Sequence, residues 1–310
     1  VIIATDPLCV RHHPGPGHPE QPARFHAAFQ ALEQAGLIRP QTLLTPGPLS
    51  SEHLERVHAP EYLALARTEV LAGRPRLSTG DTAICPESWD AALRAAGCAV
   101  AATQAVLQGR SQTAFALVRP PGHHAGRAYG MGFCLLNNIA IAARFAQAVF
   151  AIQRILIVDW DVHHGNGTQD VFYEDGSVFF FSTHQSPLYP GTGKPSETGR
   201  GAGEGTTLNC PLPAGSARPE IFDAFEKKLL PAMQKFQPEL ILISAGFDSR
   251  KDDPLGGFEL TDPDFADLTR RMRDLAAKTA KGRVVSVLEG GYHLPGLASA
   301  ITAHVGALRE

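Results

Sequence analysis

Six short runs rich in β-branched and aromatic residues punctuate this 310-residue chain: Val1–Thr5, Ala114–Val118, Arg154–Val158, Val178–Phe181, Leu240–Ser244 and Val284–Leu288. Each reads as a continuous apolar stretch, not as an alternation of apolar and polar positions. An alternating strand keeps one face wet, whereas a continuous one is covered on both. Longer stretches of helical pattern lie between most of them, at Pro22–Ala35, Pro60–Ala72, Ser88–Gln108, Leu136–Ala148, Pro219–Phe236, Pro263–Lys281 and Pro295–Leu308. Strands alternating with helices over the whole length predict an α/β fold with a central parallel sheet flanked by helices. No repeat or low-complexity linker divides the chain, so a single domain over 1–310 is expected. The longest break, Gln185–Thr207, is polar and Gly-rich, and loops of that length inside a domain are more often functional than passive.

Composition removes several function classes. With 28 basic and 31 acidic residues the net charge is −3, which supplies no field to hold nucleic acid or an anionic membrane surface. No apolar run approaches the ~18 residues of a membrane span. Five cysteines (Cys9, Cys85, Cys98, Cys134, Cys210) are scattered without a C-x-x-C pair. That argues against a disulfide framework or a zinc finger and for a reducing compartment, the cytoplasm.

The reactive residues gather at strand ends. AFALV leads into RPPGHHAG with His123 and His124; ILIV leads into DWDVHHGNG with Asp159, Asp161, His163, His164 and Asn166. LILIS leads into AGFDSRKDDPLGG with Asp248, and VVSVL into EGGYHL with Tyr292. Open parallel sheets place their sites beyond the carboxyl ends of strands, so four strands deliver acids, imidazoles and a phenol to one edge. In Asp-x-Asp-x-His, strand alternation turns Asp161 and His163 to one side. A carboxylate and an imidazole at that spacing suit a zinc ion, and Asp248 is the natural third ligand, leaving one position open for water. The bland alternatives are a polar strand-to-helix turn for DWDVHHGNG, capping or packing for the His123–His124 pair, and a tyrosine that merely closes a glycine turn. His12, His13 and His18, in RHHPGPGHPE, are by default surface-loop histidines, and His53, His58, His184, His293 and His304 structural or solvated ones.

Seven stretches in order carry a family resemblance: HPEQPARF (18–25), RPPGHHAG (119–126), GFCLLNN (132–138), ILIVDWDVHHGNGT (155–168), LYPGTG (188–193), AGFDSRKDDPLGGFELT (245–261) and LEGGYHL (288–294). Together they resemble the zinc-dependent histone deacetylases of the arginase–deacetylase fold, most closely the class II branch and its bacterial relatives. The resemblance implies one catalytic domain on a sheet of about eight strands. It implies a single catalytic Zn2+ on Asp161, His163 and Asp248, and a K+ or Na+ near main-chain oxygens of Asp159, Asp161 and His163 with the Ser182 hydroxyl. It gives His124 the role of general base and acid. His123 becomes its electrostatic partner, held by Asp159, and Tyr292 the hydroxyl donor to the oxyanion. Gly132, Phe133 and Tyr189 become tunnel walls, with Asp81 at the rim gripping the substrate backbone. His18 and Arg24 are assigned to the foot of the tunnel.

Two positions refine the resemblance. Asn166 stands where the class I pattern has Asp, as in class II, and a neutral amide favours a neutral His124. Leu255 stands where the polyamine-selective enzyme has a glutamate, which argues for an acetylated lysine peptide or protein as substrate. The alternatives are an acetylpolyamine or other small-amide hydrolase, a binuclear manganese enzyme of the arginase type, and a non-catalytic acyl-lysine binding module.

Overall fold

The computed structural model describes residues 1–47 and 49–310. Its strands are β1 (Ile2–Thr5), β2 (Leu43–Leu44), β3 (Thr113–Leu117), β4 (Ile155–Asp159), β5 (Val178–Gln185), β6 (Thr207–Leu212), β7 (Leu240–Ala245) and β8 (Val284–Leu288). They form one sheet in the order β2-β1-β3-β8-β7-β4-β5-β6, and every neighbouring pair is parallel. Every residue of β3, β4, β7 and β8 is buried, as continuous apolar runs require of strands covered on both faces.

The six expected strands are present, and the two that the pattern missed are the two edges. β2 has only two residues, and β6 (TLNCPL) carries Pro211. A proline cannot donate to a ladder and is tolerated where one side of the strand is unpaired. Short or proline-bearing edges also discourage pairing with another chain, so the features that hid these strands from the pattern belong to their position.

The helices are α1 (Pro22–Gln34), α2 (Ser51–Glu55), α3 (Pro60–Leu71), α4 (Ser88–Leu107), α5 (Asn138–Phe150), α6 (Asn166–Phe172), α7 (Arg218–Ala224), α8 (Leu230–Phe236), α9 (Asp262–Thr279) and α10 (Leu294–Arg309). α4 and α5 pack on each other over the central strands, and α1, α9 and α10 form a second group against the same strands. The single helix expected over Pro219–Phe236 is interrupted by one wide turn at Phe225–Leu229. Pro231 follows in the first turn of α8. Its ring would meet the carbonyl four residues back in a regular helix, and widening the turn relieves that contact.

The strands that deliver the reactive residues, β3, β8, β7 and β4, are consecutive in the sheet. Residues that are distant in sequence therefore share one crest.

Candidate active site

At the end of β4, Asp161, His163 and Asp248 come together, one ligand atom of each lying within 4.8 Å of the others. His163 Nδ1 is 3.0 Å from Asp161 Oδ1 and 3.3 Å from Asp248 Oδ2. β4 ends at Asp159, so pleat alternation is not what aims Asp161 and His163. Backbone donors do it. The Asp161 N–H donates to Asp159 Oδ1 (3.1 Å), the Val162 N–H to Asp248 Oδ1 (2.9 Å), and the Gly290 N–H to Asp161 Oδ2 (2.8 Å). Three strand ends are thereby tied to one point.

The donor set suits a divalent cation. Asp161 and Asp248 are both 0% exposed, and Asp248 Oδ2 is buried without a hydrogen-bond partner; its 3.3 Å approach to His163 lacks the alignment of a bond. Burial, and then the neighbouring Asp161, push the Asp248 carboxyl up from its ordinary range. Burial works against the His163 imidazolium, but Asp161 and Asp248 more than reverse this and hold it at about 10. Two carboxylates sharing one imidazole have an unmet need for positive charge, and one nitrogen with two oxygens is a donor set that zinc accepts.

His123 and His124 stand side by side, ring centroids 4.0 Å apart, with unlike partners. His123 Nδ1 lies 2.9 Å from Asp159 Oδ2, and His124 Nδ1 lies 2.7 Å from Asn166 Oδ1. Burial opposes charge on both rings. Asp159 and then Asp161 overcome it for His123, raising it to about 10. For His124 burial is reinforced by His123 and His163, and the ring is pushed well down. A neutral His124 beside the donor triad is therefore what the surroundings enforce.

A pocket of about 290 Å³ opens over this floor. His124, His163 and Tyr292 line its depth, and Asp81, Gly132, Phe133, Leu188, Tyr189 and Leu255 form its walls and mouth. Phe133 makes an edge contact with Tyr292 at 5.9 Å, and Tyr189 one with His124 at 5.3 Å. Gly132 has φ +55°, and a Cβ there would stand 2.3 Å from His124 Cδ2. Phe133 also has φ +69°, a conformation that costs a side-chain-bearing residue about 1–2 kcal/mol and is characteristic of functional loops. The Gly132 N–H donates to Asp81 Oδ1 (2.8 Å), and the Tyr189 hydroxyl reaches the same oxygen at 3.3 Å. Every residue predicted for the site is thus at the floor, on the pocket wall or one bond behind it.

Several supporting residues escaped the sequence reading. Glu289, fully buried, accepts from the N–H groups of Gly122 (2.7 Å) and His123 (3.2 Å) and from Ser244 Oγ (3.0 Å), which fixes the turn that carries the histidine pair. A charge directly after the apolar run VVSVL was the signal for it. Asp253 accepts from the N–H groups of Tyr292 (2.7 Å), His293 (3.1 Å) and Leu255 (3.0 Å), tying one wall to the tyrosine turn. His12 corrects an expectation: it is 0% exposed, bonded to Ser88 Oγ at 2.8 Å and 3.4 Å from Glu20. Glu20 also pairs with Arg119 (2.7 Å) and Arg24 (3.1 Å). Arg24 donates on to the carbonyls of Gly291 and Glu289, both at 2.6 Å, and covers the Tyr292 ring at 4.9 Å. His164 serves the long loop, reaching Thr192 Oγ1 (2.7 Å) and Gln169 Oε1 (3.0 Å). Ser182 Oγ, expected beside a monovalent cation, lies 2.9 Å from His184 Nδ1.

With this geometry in place, comparison with known proteins defines the class. The family model for the histone deacetylase domain matches residues 18–308. A probable deacetylase of Archaeoglobus fulgidus is 42% identical over 93% of this chain and 80% of its own length. The polyamine deacetylase HDAC10 of Homo sapiens is 42% identical over 93% of this chain, which spans 44% of that larger protein. The solved structure of the HDA15 HD domain superposes with a TM-score of 0.93 at 35% identity, covering 100% of this chain and 91% of that one. The chain is a hydrolase of the deacetylase type. It belongs to the histone deacetylase family.

Proposed function

We propose that the chain hydrolyses ε-N-acyl-lysine in proteins or peptides, releasing acetate or another short carboxylate, with a zinc ion on Asp161, His163 and Asp248. The observation that carries this reading is the donor triad at the floor of a narrow, largely apolar pocket whose depth also presents a neutral imidazole and a phenol. The chemistry zinc supplies when bound there is polarisation of the acyl carbonyl and a lowered pKa for the attacking water. His124, neutral and without a carboxylate of its own, takes the water proton as the C–O bond forms and returns it to the leaving amine as the C–N bond breaks. His123, paired with Asp159, contributes the positive charge beside it. The Tyr292 hydroxyl donates to the developing oxyanion. Phe133 and Tyr189, with Gly132 between Phe133 and His124, flank the lysine methylenes and keep water from the reacting carbon. Asp81, which uses Oδ1 to hold both walls, has Oδ2 left for a substrate backbone amide.

Leu255 at the mouth supports a lysine substrate over a cationic polyamine, since it offers no charge to a free ammonium group. The likeness to a polyamine deacetylase favours the second reading, an acetylpolyamine hydrolase on the same machinery. Parallel assays of acetyl-lysine peptide and acetylputrescine separate them. We expect kcat/KM for the peptide to exceed that for the polyamine; the reverse order would favour the second reading. For the chemistry itself, Tyr292→Phe is expected to lower kcat by about 10²–10³ with little change in KM, and near wild-type turnover would refute the oxyanion role. A monovalent cation beneath Asp159 belongs to the same proposal and rests on the resemblance. So does a cytoplasmic setting, which the five unpaired cysteines suit; among the described residues no helix is long and apolar enough to cross a membrane.

A further inference from the structure

The sense of the Asn166 amide decides which nitrogen of His124 carries its proton. With Oδ1 toward the ring, 2.7 Å from Nδ1, His124 donates from Nδ1 and keeps Nε2 free as a base. Reversed, the amide would donate to Nδ1 and put the proton on Nε2, where it blocks base catalysis. An aspartate at this position would have two like oxygens and no such ambiguity.

What sets the amide lies outside the pocket. Asn166 Nδ2 donates to the Tyr129 hydroxyl at 3.2 Å, with Met131 Sδ at 3.4 Å as a weaker second acceptor. The Tyr129 hydroxyl in turn donates to Asp170, an exposed side chain on α6. An ionised carboxylate only accepts, so the one phenol proton is committed to Asp170. The phenol oxygen is then available only as an acceptor, and only the NH2 end of Asn166 can face it. The ring itself has one place to be. The Gly126 N–H donates to the Tyr129 carbonyl at 3.0 Å, and a Cβ on Gly126 would stand 2.4 Å from Tyr129 Cε1.

We propose that Tyr129 and Asp170 are positioning residues that hold the Asn166 amide with Oδ1 toward His124, and so keep His124 in its Nδ1-protonated form. The proposal rests on the hydrolase reading for its consequence, but not for its measurement. Nitrogen-15 shifts of the His124 ring in the zinc-loaded protein, assigned by their loss in His124→Ala, read the tautomer without turnover. The wild type is expected to be Nδ1-protonated and Tyr129→Phe a mixture of tautomers. For Tyr129→Phe, kcat on acetyl-lysine peptide should fall about 2- to 10-fold at unchanged KM, the worth of one neutral hydrogen bond. Asp170→Ala, a change at an exposed side chain, should produce part of the same loss. In an Asn166→Asp background the Tyr129→Phe change should cost less than about twofold, because a carboxylate needs no reference for its orientation. A purely Nδ1-protonated His124 in Tyr129→Phe, or an equal loss in both backgrounds, overturns the proposal. A wild-type protein inactive on every acyl amide would instead overturn the hydrolase reading, and the tautomer measurement would still decide this one.

Discussion

At the floor of the pocket Asp159, Asp161 and Asp248 are 0% exposed and sit at or just beyond the ends of neighbouring strands, whereas at the mouth Tyr189 is 37% exposed and is carried by the long loop after β5. The floor is held by many bonds that cross between strand ends: Val162 to Asp248, Gly290 to Asp161, and Glu289 to Gly122 and His123. The mouth is held by few, among them the shared Asp81 oxygen and the bond between His164 and Thr192. A floor overdetermined in this way keeps reacting groups in one geometry, while loops above it change without disturbing the chemistry. Changes at the floor should therefore abolish the reaction or the fold, and changes at the mouth should redirect it.

The largest effect is expected for Asp248→Ala. It removes one of three donors, and we expect loss of bound zinc with a drop in kcat on the order of 10³ or more. Metal analysis after dialysis checks it; a variant that keeps one tightly held zinc per chain would show the third ligand to be wrong. Next comes Glu20→Ala, which leaves Arg24, Arg119 and His12 buried without their shared carboxylate. Stability should fall by about 3–5 kcal/mol in urea unfolding, with the Tyr292 turn loosened because Arg24 holds its carbonyls.

Acid should reach the floor's supports as well. The His58 ring donates from Nδ1 to the Gly126 carbonyl (2.8 Å) and accepts at Nε2 from the Asn137 N–H (2.9 Å), a pattern only the neutral ring satisfies. Burial lowers His58 to about 4 and His304 to about 3. Both are neutral when folded, while the unfolded chain takes up their protons below about 6.5. The contribution of these two rings to stability is therefore full above pH 6.5 and declines from there toward pH 4, by about 1.4 kcal/mol per pH unit for each histidine at the steepest. Urea midpoints of the wild type and His58→Gln at pH 7.5 and 5.5 isolate the His58 share: the stability difference between the two proteins should shrink as the pH falls.

The smallest and most informative change is Leu255→Glu at the half-buried mouth. It should leave turnover of a neutral acetylated peptide within about twofold while improving kcat/KM for acetylputrescine roughly fivefold, the worth of one exposed ion pair. Equal loss on both substrates would mean that the mouth is as tightly coupled to the floor as its own residues are to each other.

Much of this contrast was legible in the chain itself. Continuous apolar runs announced strands buried on both faces, and the polar residues immediately after them announced one active crest. The donor triad and the histidine pair followed from what stands at those four strand ends. β2 and β6 were not legible, since an edge strand needs neither length nor an unbroken ladder. Glu289 was marked only by a charge directly after an apolar run, and Asp253 by nothing, because a carboxylate that serves backbone N–H groups has no pattern of its own in sequence.

By periodicity and residue order, this chain determined that it would form a parallel sheet and that carboxylates and imidazoles would collect at its carboxyl edge. Those outcomes depend on local period and on the order of residues along each strand. Only the tertiary structure decided that β3, β8, β7 and β4 lie side by side, that His12 turns inward to Ser88, and that a phenol from outside the pocket meets Asn166. Such contacts join segments tens to hundreds of residues apart. Their geometry is set by how helices pack on the sheet and by the need of every buried charge for a partner, neither of which any short stretch of sequence contains.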